Sequence, residues 1–244
     1  MTRPGLSYKG DGLQAVIPVQ PFGRAKSRLS PVLSPNERCA LAEAMFRDVL
    51  AAVFASRLFD AVHVATGCED AARIAREAGA SVLPDASQSP GTNGAVDAAL
   101  AKLPLDAAVM VVQADLPLLQ PTDLVAVAAA LRNGAEVVLV PAMDGGTTIL
   151  GLSPARAIRS AFGPNSFAAH MAQAGSAPVV LRPGRAVFDL DRPEDIALLL
   201  ACRSDSHCIR LSHLARAIGL STHTTKQENT SHVEGDHARY ASVR

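Results

Sequence analysis

Residues 107–117, AAVMVVQADLP, place an acidic residue directly behind the clearest strand signal in the chain. Residues 107–113 are apolar on both faces, as a central strand of a parallel sheet requires, because helices cover both faces of such a sheet. Asp115 follows at once, and Pro117 prevents the strand from continuing as a ladder. Ligands of open α/β sheets bind beyond the carboxyl ends of the strands, so Asp115 is a candidate metal ligand. The alternative interpretation is an aspartate that serves only a turn or a helix N-cap.

Strands and helices alternate regularly around this segment. One helix start is explicit, because residues 34–37 (Ser-Pro-Asn-Glu) have the capping-box pattern with proline at the first helical position. The predicted strands are 13–19, 61–66, 81–83, 107–113 and 136–141, and the predicted helices are 34–57, 70–78, 95–103 and 121–133. This order predicts βαβ units, and hence a three-layer α/β fold with a mostly parallel central sheet and helices on both faces.

The pattern changes after this alternating part. An Asp144-Gly145-Gly146 turn precedes TTILGLSP (147–154), which predicts a small antiparallel insertion. The remaining elements are predicted as a short helix at 163–175, two short strands within 178–191 and a final helix at 196–202.

The composition changes again near residue 204. The segment from there to the end holds five of the seven histidines and few large apolar residues. We therefore expect one folded domain over residues 1–203 and a C-terminal tail over 204–244 that is largely disordered.

Composition and charge restrict the classes of function. With 48% hydrophobic residues in 244, the chain can bury a sizeable core, and its 23 basic residues balance 23 acidic ones. This balance argues against a bulk electrostatic surface for nucleic acid or anionic membrane. An apolar run long enough to span a bilayer and an apolar signal-peptide core are both lacking, which predicts a cytoplasmic protein. The four cysteines lack metal-ligand spacing and are interpreted as small buried thiols: Cys39, Cys68, Cys202 and Cys208.

A second acidic feature lies at FDLD, residues 188–191. In a strand, residues two apart share one face, so Asp189 and Asp191 would repel each other unless a cation lay between them. Asp191 has an alternative role as a helix cap, with Glu194 in the capping-box position, whereas Asp189 lies inside the predicted strand. Together with Asp115 they predict three carboxylates at one sheet edge. Such hard oxygen ligands suit Mg²⁺ or Mn²⁺ beside substrate phosphates.

Three further segments are candidates for binding anions. The loop PFGRAKSRLS (21–30) follows the first strand, where a nucleotide phosphate would lie, but it is neither a Walker loop nor a dinucleotide fingerprint. An alternative of equal weight is that this basic loop only faces solvent and binds no phosphate. SPGTNGA (89–95) and FGPNSFAAH (162–170) each precede a helix, whose N-terminus presents free N–H groups to an anion.

In combination these segments resemble the guanylyltransferases of coenzyme F-420 biosynthesis, which activate 2-phospho-L-lactate, phosphoenolpyruvate or 3-phospho-D-glycerate. The resemblance covers about residues 13–202 and rests on PFGRAKSRL, QADLPLL, GTTILGLSP, FGPNSFAAH and FDLDRPEDI in this order. It implies the GT-A-like nucleotidyltransferase fold, a class that includes the molybdenum-cofactor guanylyltransferases. The sequence departs from that wider class because it carries AKSRL in place of a GGxGTR-type loop.

The resemblance also implies roles for individual residues. Its metal-binding aspartates correspond to Asp115, Asp189 and Asp191, which would hold two Mg²⁺, and the residues that hold the phospho-acid correspond to Thr148, Gly163 and Ser166. By extension, Lys26 and Arg28 would bind the triphosphate and stabilise the departing pyrophosphate, and Asn93 would contact the nucleotide.

The implied reaction is an in-line attack by the acid's phosphate on the α-phosphorus of GTP, with release of pyrophosphate. Two alternatives stay open: an enzyme of the same fold that acts on molybdopterin or a sugar phosphate, and a non-catalytic nucleotide-binding module whose aspartates are caps. The expected partners are GTP and a three-carbon phospho-acid, without nucleic acid or membrane. The sequence leaves four points open: which acid is used, which base is recognised, what the histidine-rich tail does, and whether the protein forms an oligomer such as a homodimer.

Overall fold

The computed structural model describes residues 12–84, 91–175, 178–183 and 186–201, and the predicted tail lies outside them. The strands are β1 (Leu13–Val19), β2 (Ala61–Thr66), β3 (Ser81–Pro84), β4 (Ala108–Val112), β5 (Val137–Pro141), β6 (Thr147–Leu152) and β7 (Val179–Val180). The helices are α1 (Pro35–Ser56), α2 (Glu69–Glu77), α3 (Thr92–Leu100), α4 (Pro121–Arg132), α5 (Ser166–Ala174) and α6 (Pro193–Ala201). None of the described helices is long and apolar enough to cross a membrane.

The strands form one seven-stranded sheet in the order β3-β2-β1-β4-β6-β5-β7. Strands β1 to β4 pair in parallel, and β7 pairs in parallel with β5. Strand β6 is antiparallel to both of its neighbours, β4 and β5. The predicted antiparallel insertion therefore lies inside the sheet. Because β4 and β5 point in the same direction, the carboxyl ends of β1, β4 and β5 share one edge.

Both faces of the sheet are covered, which confirms the predicted three-layer α/β fold. On one face Met110 and Val112 of β4 join a buried cluster with apolar residues of α1, α2 and α4. On the other face Val109 and Val111 join a cluster with α3, and α5 packs against it. Strand β4 is therefore buried on both sides, as its composition predicts.

Gly151 of β6 permits α4 to pack closely on the sheet. A Cβ at this position would lie 3.2 Å from side-chain atoms of Leu131, Val127 and Val138. These distances are shorter than an ordinary van der Waals contact, so any side chain would displace α4 or the neighbouring strand.

The capping box predicted for α1 is confirmed. The Glu37 backbone N–H donates to the Ser34 hydroxyl (3.4 Å), and the Ser34 backbone N–H donates to the Glu37 carboxylate (2.7 Å). Helix α3 begins at Thr92, three residues before the predicted start, so that Thr92 and Asn93 lie in its first turn. Cys39 and Cys68 are free, half-buried thiols.

The second strand predicted within 178–191 is wrong, because β7 is the only strand in the described part of that range and FDLD runs without strand pairing. Phe188 and Leu190 are instead buried in a third cluster with residues such as Leu29, Met45 and Leu118. Alternate residues therefore still point inward, but they pack on α1 and on the loops at the carboxyl edge. This packing leaves the carboxylates of FDLD turned toward that edge.

The predicted N-cap at Asp191 is also wrong. Helix α6 begins at Pro193, and Asp195 accepts hydrogen bonds from the backbone N–H groups of Asp191 (2.9 Å) and Arg192 (2.7 Å). Asp195 thus stabilises the helix start, and the carboxylate of Asp191 is available for other partners.

Candidate active site

The basic loop after β1 turns Lys26 into the protein. Two 3-10 turns, Phe22–Arg24 and Ser27–Leu29, flank Lys26, whose backbone is left-handed with a φ of 56°. Buried Phe22 and Leu29 anchor the two turns. A left-handed lysine costs conformational energy, and the surrounding packing has to supply it. The side chain of Lys26 is only 5% exposed as a result.

The ammonium of Lys26 joins two acidic segments that are distant in sequence. Its Nζ lies 2.6 Å from Asp115 Oδ2 and 2.8 Å from Asp191 Oδ1, and Arg28 contacts the other oxygen of Asp191 at 3.0 Å. Burial alone would lower the pKa of Lys26, but the charges of Asp115 and Asp191 outweigh it and raise the pKa well above its usual range. Lys26 is therefore a permanent cation at the carboxyl edge of the sheet.

Three carboxylates meet beside this ion pair, and one of them was not predicted. Ligand oxygens of Asp144, Asp189 and Asp191 all lie within 4.8 Å of one another. Asp115 is not in this group, and its Oδ2 contacts Lys26. Asp144 lies just beyond the carboxyl end of β5, and its Oδ1 accepts a hydrogen bond from the Gly146 N–H (2.8 Å). The strand-end rule that singled out Asp115 would also have found Asp144.

The carboxylate of Asp189 lies in an excess of negative charge. Burial, followed by the charges of Asp115, Asp144 and Asp191, raises the pKa of Asp189 to about 7, against the opposing effect of Lys26. Asp191 differs, because Lys26 and Arg28 outweigh its burial and lower its pKa. Three carboxylates, of which Asp191 is partly neutralised by Lys26 and Arg28, are hard oxygen donors of the kind that Mg²⁺ and Mn²⁺ prefer. The residues therefore fit a divalent cation at Asp144, Asp189 and Asp191.

Two adjoining cavities open on this edge. The loop cavity lies between β1, the basic loop and α1, and its lining includes Gln20, Arg24 and Lys26. The hairpin cavity lies between the β5–β6 turn, the start of α5 and FDLD. The two cavities share four lining residues, here called the junction: Thr92, Gln113, Asp115 and Asp191. Gln113 is held by its backbone N–H, which donates to the Thr148 carbonyl (3.0 Å), and its buried Nε2 has no partner among the described residues.

The three residues predicted to hold the acid line the hairpin cavity: Thr148, Gly163 and Ser166. Gly163 adopts a φ of +130°, a conformation that favours glycine, and its carbonyl accepts from the Ser166 N–H (3.1 Å). Ser166 begins α5, whose N-cap makes no side-chain hydrogen bond. The first two N–H groups of α5 are already paired, since that of Phe167 donates to the Gly145 carbonyl (3.2 Å), so this helix start favours an anion in the cavity through its dipole. Thr148 is 1% exposed, and its hydroxyl donates to the Val140 carbonyl (3.2 Å).

Asn93 has a different location from the other predicted residues. It lines neither cavity, and its amide brackets the backbone of Phe162, accepting from the N–H (2.6 Å) and donating to the carbonyl (2.9 Å). Asn93 thereby holds the segment that leads to Gly163. Its neighbour Thr92 is the residue that reaches the junction, where its hydroxyl accepts from Gln20 (3.1 Å).

Thr147 and His170, which had no predicted role, connect to Ser166. The Ser166 hydroxyl lies 3.3 Å from Thr147 Oγ1, and His170 Nδ1 lies 3.0 Å from the same oxygen. Burial lowers the pKa of His170 to about 4, so its ring is neutral at ordinary pH. Both residues belong to segments that the sequence singles out, but no spacing rule relates them to each other.

Comparison with known proteins decides the class of this site. Residues 13–231 match the family model described as guanylyl transferase CofC like. The chain belongs to this family. The resemblance seen in the sequence is thereby confirmed, and the chain is a nucleotidyltransferase, which sets aside a non-catalytic binding module.

Individual relatives agree with the family. The chain is 35% identical over 205 residues to a phosphoenolpyruvate guanylyltransferase of Roseiflexus sp. (strain RS-1), covering 83% of this chain and 91% of the relative. It is 34% identical over 190 residues to a 3-phospho-D-glycerate guanylyltransferase of Phenylobacterium zucineum (strain HLK1), covering 75% and 87%. Its fold is similar to a putative nucleotide-diphospho-sugar transferase from Desulfovibrio desulfuricans G20, with a TM-score of 0.64, 18% identity and coverage of 85% and 97%.

Proposed function

We propose that this CofC-like guanylyltransferase transfers GMP from GTP to the phosphate of a three-carbon phospho-acid and releases pyrophosphate, in coenzyme F-420 biosynthesis. The candidate acids are phosphoenolpyruvate, 3-phospho-D-glycerate and 2-phospho-L-lactate. The observation that carries the proposal is the pair of cavities that share one junction, with a buried cation and an acidic cluster beside it. The names of the relatives, which act on acids of this kind, add support.

In this proposal GTP occupies the loop cavity and the phospho-acid occupies the hairpin cavity. Arg24, Lys26 and Arg28 supply positive charge along the path of a triphosphate. Gly163 and Ser166 line the place proposed for the acid, where Ser166 supplies a hydroxyl and the start of α5 a favourable dipole. An oxygen of the acid's phosphate and the α-phosphorus of GTP then meet at the junction, where the buried Nε2 of Gln113 is a further donor that has no acceptor among the described residues.

The metal would be held by Asp144, Asp189 and Asp191, and we propose Mg²⁺ as its identity. When bound, Mg²⁺ would neutralise the phosphates and polarise the attacked phosphoryl group. The predicted third ligand, Asp115, is paired with Lys26. The same ammonium holds Asp191, so a move of Lys26 from the carboxylates to the triphosphate would release Asp191 for the first ion and Asp115 for a proposed second one.

The residues of the chain lower the barrier by positioning and charge, because the transfer requires no covalent intermediate. Both reactants are polyanions, so the positive groups at the junction allow them to approach. Lys26 remains charged throughout, and its ammonium would stabilise the negative charge that develops on the departing pyrophosphate.

Pyrophosphate release is the direct test of this function. We expect wild-type protein with GTP and Mg²⁺ to release pyrophosphate only when one of the three acids is added. Omission of the acid and replacement of GTP by ATP or CTP are the controls. The enzyme that consumes the product should be added if the product breaks down. Release with a sugar phosphate or molybdopterin, and with none of the acids, would instead support the other acceptor class.

A further inference from the structure

Three polar side chains form a buried hydrogen-bonded row behind the hairpin cavity, and the inference drawn from this row rests on the function proposed above. Thr147 is 5% exposed, Ser166 is 1% exposed and His170 is fully buried. Thr147 Oγ1 lies between the other two, at 3.0 Å from His170 Nδ1 and 3.3 Å from Ser166 Oγ. Buried polar groups in such numbers are retained where each has a defined partner.

The backbone fixes the tautomer of His170. The Ala161 backbone N–H donates to His170 Nε2 (2.9 Å), so Nε2 carries a lone pair and has no hydrogen. In the neutral imidazole the hydrogen must then be on Nδ1, which donates to Thr147 Oγ1. His170 is therefore a fixed donor toward Thr147, and edge contact with the Phe162 ring, with centroids 5.1 Å apart, holds its plane.

The hydroxyl hydrogens of Thr147 and Ser166 outnumber the contacts that use them. Thr147 and Ser166 have two hydroxyl hydrogens, but only one of these can lie in the contact between the two oxygens. Thr147 Oγ1 already accepts from His170. One hydroxyl hydrogen of the pair is thus left over, and no described residue is recorded as its acceptor. The pair therefore presents a donor whichever way the hydrogen between the oxygens is oriented.

The leftover donor belongs to a pair of residues, Thr147 and Ser166, that line the hairpin cavity and not the loop cavity. The reacting phosphate has to be at the junction that both cavities share. The acid's other anionic group, its carboxylate, then extends toward Thr147 and Ser166. An ionised carboxylate only accepts hydrogen bonds, so a site that presents a fixed donor is complementary to it.

Ser166 is already among the residues that the family resemblance implies for the acid. We propose that Thr147 joins Ser166 in binding the carboxylate of the phospho-acid, and that His170 is a positioning residue that keeps this hydroxyl pair in its donor state. The pair discriminates acids from the corresponding alcohols. The binding of the carboxylate depends on the proposed acceptor class, whereas the orientation of His170 follows from its hydrogen bonds alone.

The test compares Thr147→Val and Thr147→Ser with wild-type protein. Valine has nearly the same shape but lacks the hydroxyl, whereas serine keeps it. A hydrogen bond to a charged group is worth about 1.5–3 kcal/mol, so we expect Thr147→Val to raise KM for the phospho-acid roughly 10- to 100-fold and Thr147→Ser to stay near wild type. KM for GTP should change less than about twofold, because the loop cavity is untouched.

A matched pair at His170 separates positioning from packing. His170→Asn keeps a donor near Nδ1, and His170→Gln keeps an acceptor near Nε2. We expect the asparagine variant to retain most of the affinity for the acid and the glutamine variant to lose about tenfold. A purely structural role would not produce this order. Circular dichroism and thermal unfolding identify any variant that fails to fold, and Thr147→Val then carries the test by itself.

Glycerol 3-phosphate is the probe for the carboxylate, because it has an alcohol in the place of the carboxylate of 3-phospho-D-glycerate. Its inhibition constant should be the same for wild type and Thr147→Val. An equal loss of binding for the acid and the alcohol would overturn the carboxylate assignment, and so would an unchanged KM for the acid in Thr147→Val. If wild type releases no pyrophosphate with any of the acids, the proposed function fails, and this outcome is distinct from both.

Discussion

Replacing Asp189 with asparagine should stabilise the protein while it abolishes turnover. Asparagine keeps the shape of the side chain and removes one negative charge from the cluster of Asp144, Asp189 and Asp191. An aspartate that only capped a helix or closed a turn would show little change, because asparagine caps a helix about as well as aspartate does. A gain in stability therefore distinguishes a ligand site from a structural one.

The size of the effect follows from the pKa of Asp189. Each pKa unit is worth about 1.4 kcal/mol, so the rise from 3.8 to about 7 amounts to about 4 kcal/mol before solvent screening. Asp189 is half-buried rather than fully buried, and salt screens part of the repulsion, so we expect about 1–2 kcal/mol. For a chain of this size that corresponds to an increase in Tm of roughly 3–6 °C.

The stabilisation by Asp189→Asn should depend on pH. A raised pKa means that the folded state binds a proton more tightly than the unfolded state, so the unfavourable contribution is absent below pH 3.8 and complete above about pH 7. The gain of Asp189→Asn over wild type should therefore be largest at pH 8 and fall toward zero as the pH approaches 4.

The assay is urea or thermal unfolding in EDTA at pH 5 and pH 8, with exposed Asp106→Asn as the matched control. With Mg²⁺ added, wild type should gain stability and Asp189→Asn should gain much less, because it has lost a ligand. A variant that is less stable than wild type at pH 8, or that keeps normal turnover, would refute the reasoning.

Three further predictions concern the supports of the site. Lys26→Met leaves the carboxylates of Asp115 and Asp191 without their shared cation, so the free energy of unfolding should fall by about 2–3 kcal/mol and pyrophosphate release should be lost; unchanged urea unfolding would contradict this. Burial lowers the pKa of His170 from 6.5 to about 4. The free energy of unfolding of wild type should therefore fall by roughly 2 kcal/mol between pH 8 and pH 5 relative to that of His170→Asn, with no fall above pH 7. Parallel pH profiles of unfolding for the two proteins would exclude this effect. Gly151→Ala should lower the free energy of unfolding in urea by about 1–3 kcal/mol, because the added methyl group meets α4. An unchanged free energy of unfolding would show that the substitution is not strained.

Local patterns were sufficient to predict the layers of the fold. The two-sided apolar composition of residues 107–113 predicts a central strand, and the capping box at Ser34 predicts the start of α1 to within a residue. These features depend on neighbours in sequence. The position of β6 between β4 and β5 does not, because pairing between distant strands leaves no short-range signal.

FDLD shows a limit of periodicity. Its alternation of apolar and acidic residues is real, since Phe188 and Leu190 are buried and Asp189 and Asp191 are less so. The buried partner is, however, a cluster on α1 and the neighbouring loops rather than a sheet face. Alternation reports which side chains point inward, but it does not report which element they pack against.

The sequence predicts the site residues that lie near the ends of strands, but it does not predict which side chains from distant segments form pairs. Asp115, Asp189 and Asp191 do lie at one edge, but the pairing of Asp115 with Lys26 depends on a left-handed backbone inside an irregular loop. Asn93 was predicted to contact the nucleotide, yet its amide holds the Phe162 backbone. Such contacts are set by the tertiary structure.

The most direct measurement of the central claim is a ³¹P NMR spectrum of wild-type protein with GTP, Mg²⁺ and each phospho-acid in turn. Transfer of GMP to the acid's phosphate predicts the coupled pair of signals of an unsymmetrical diphosphate diester, growing together with pyrophosphate. Persistence of GTP with all three acids, or formation of GMP and pyrophosphate without the coupled pair, would contradict the claim.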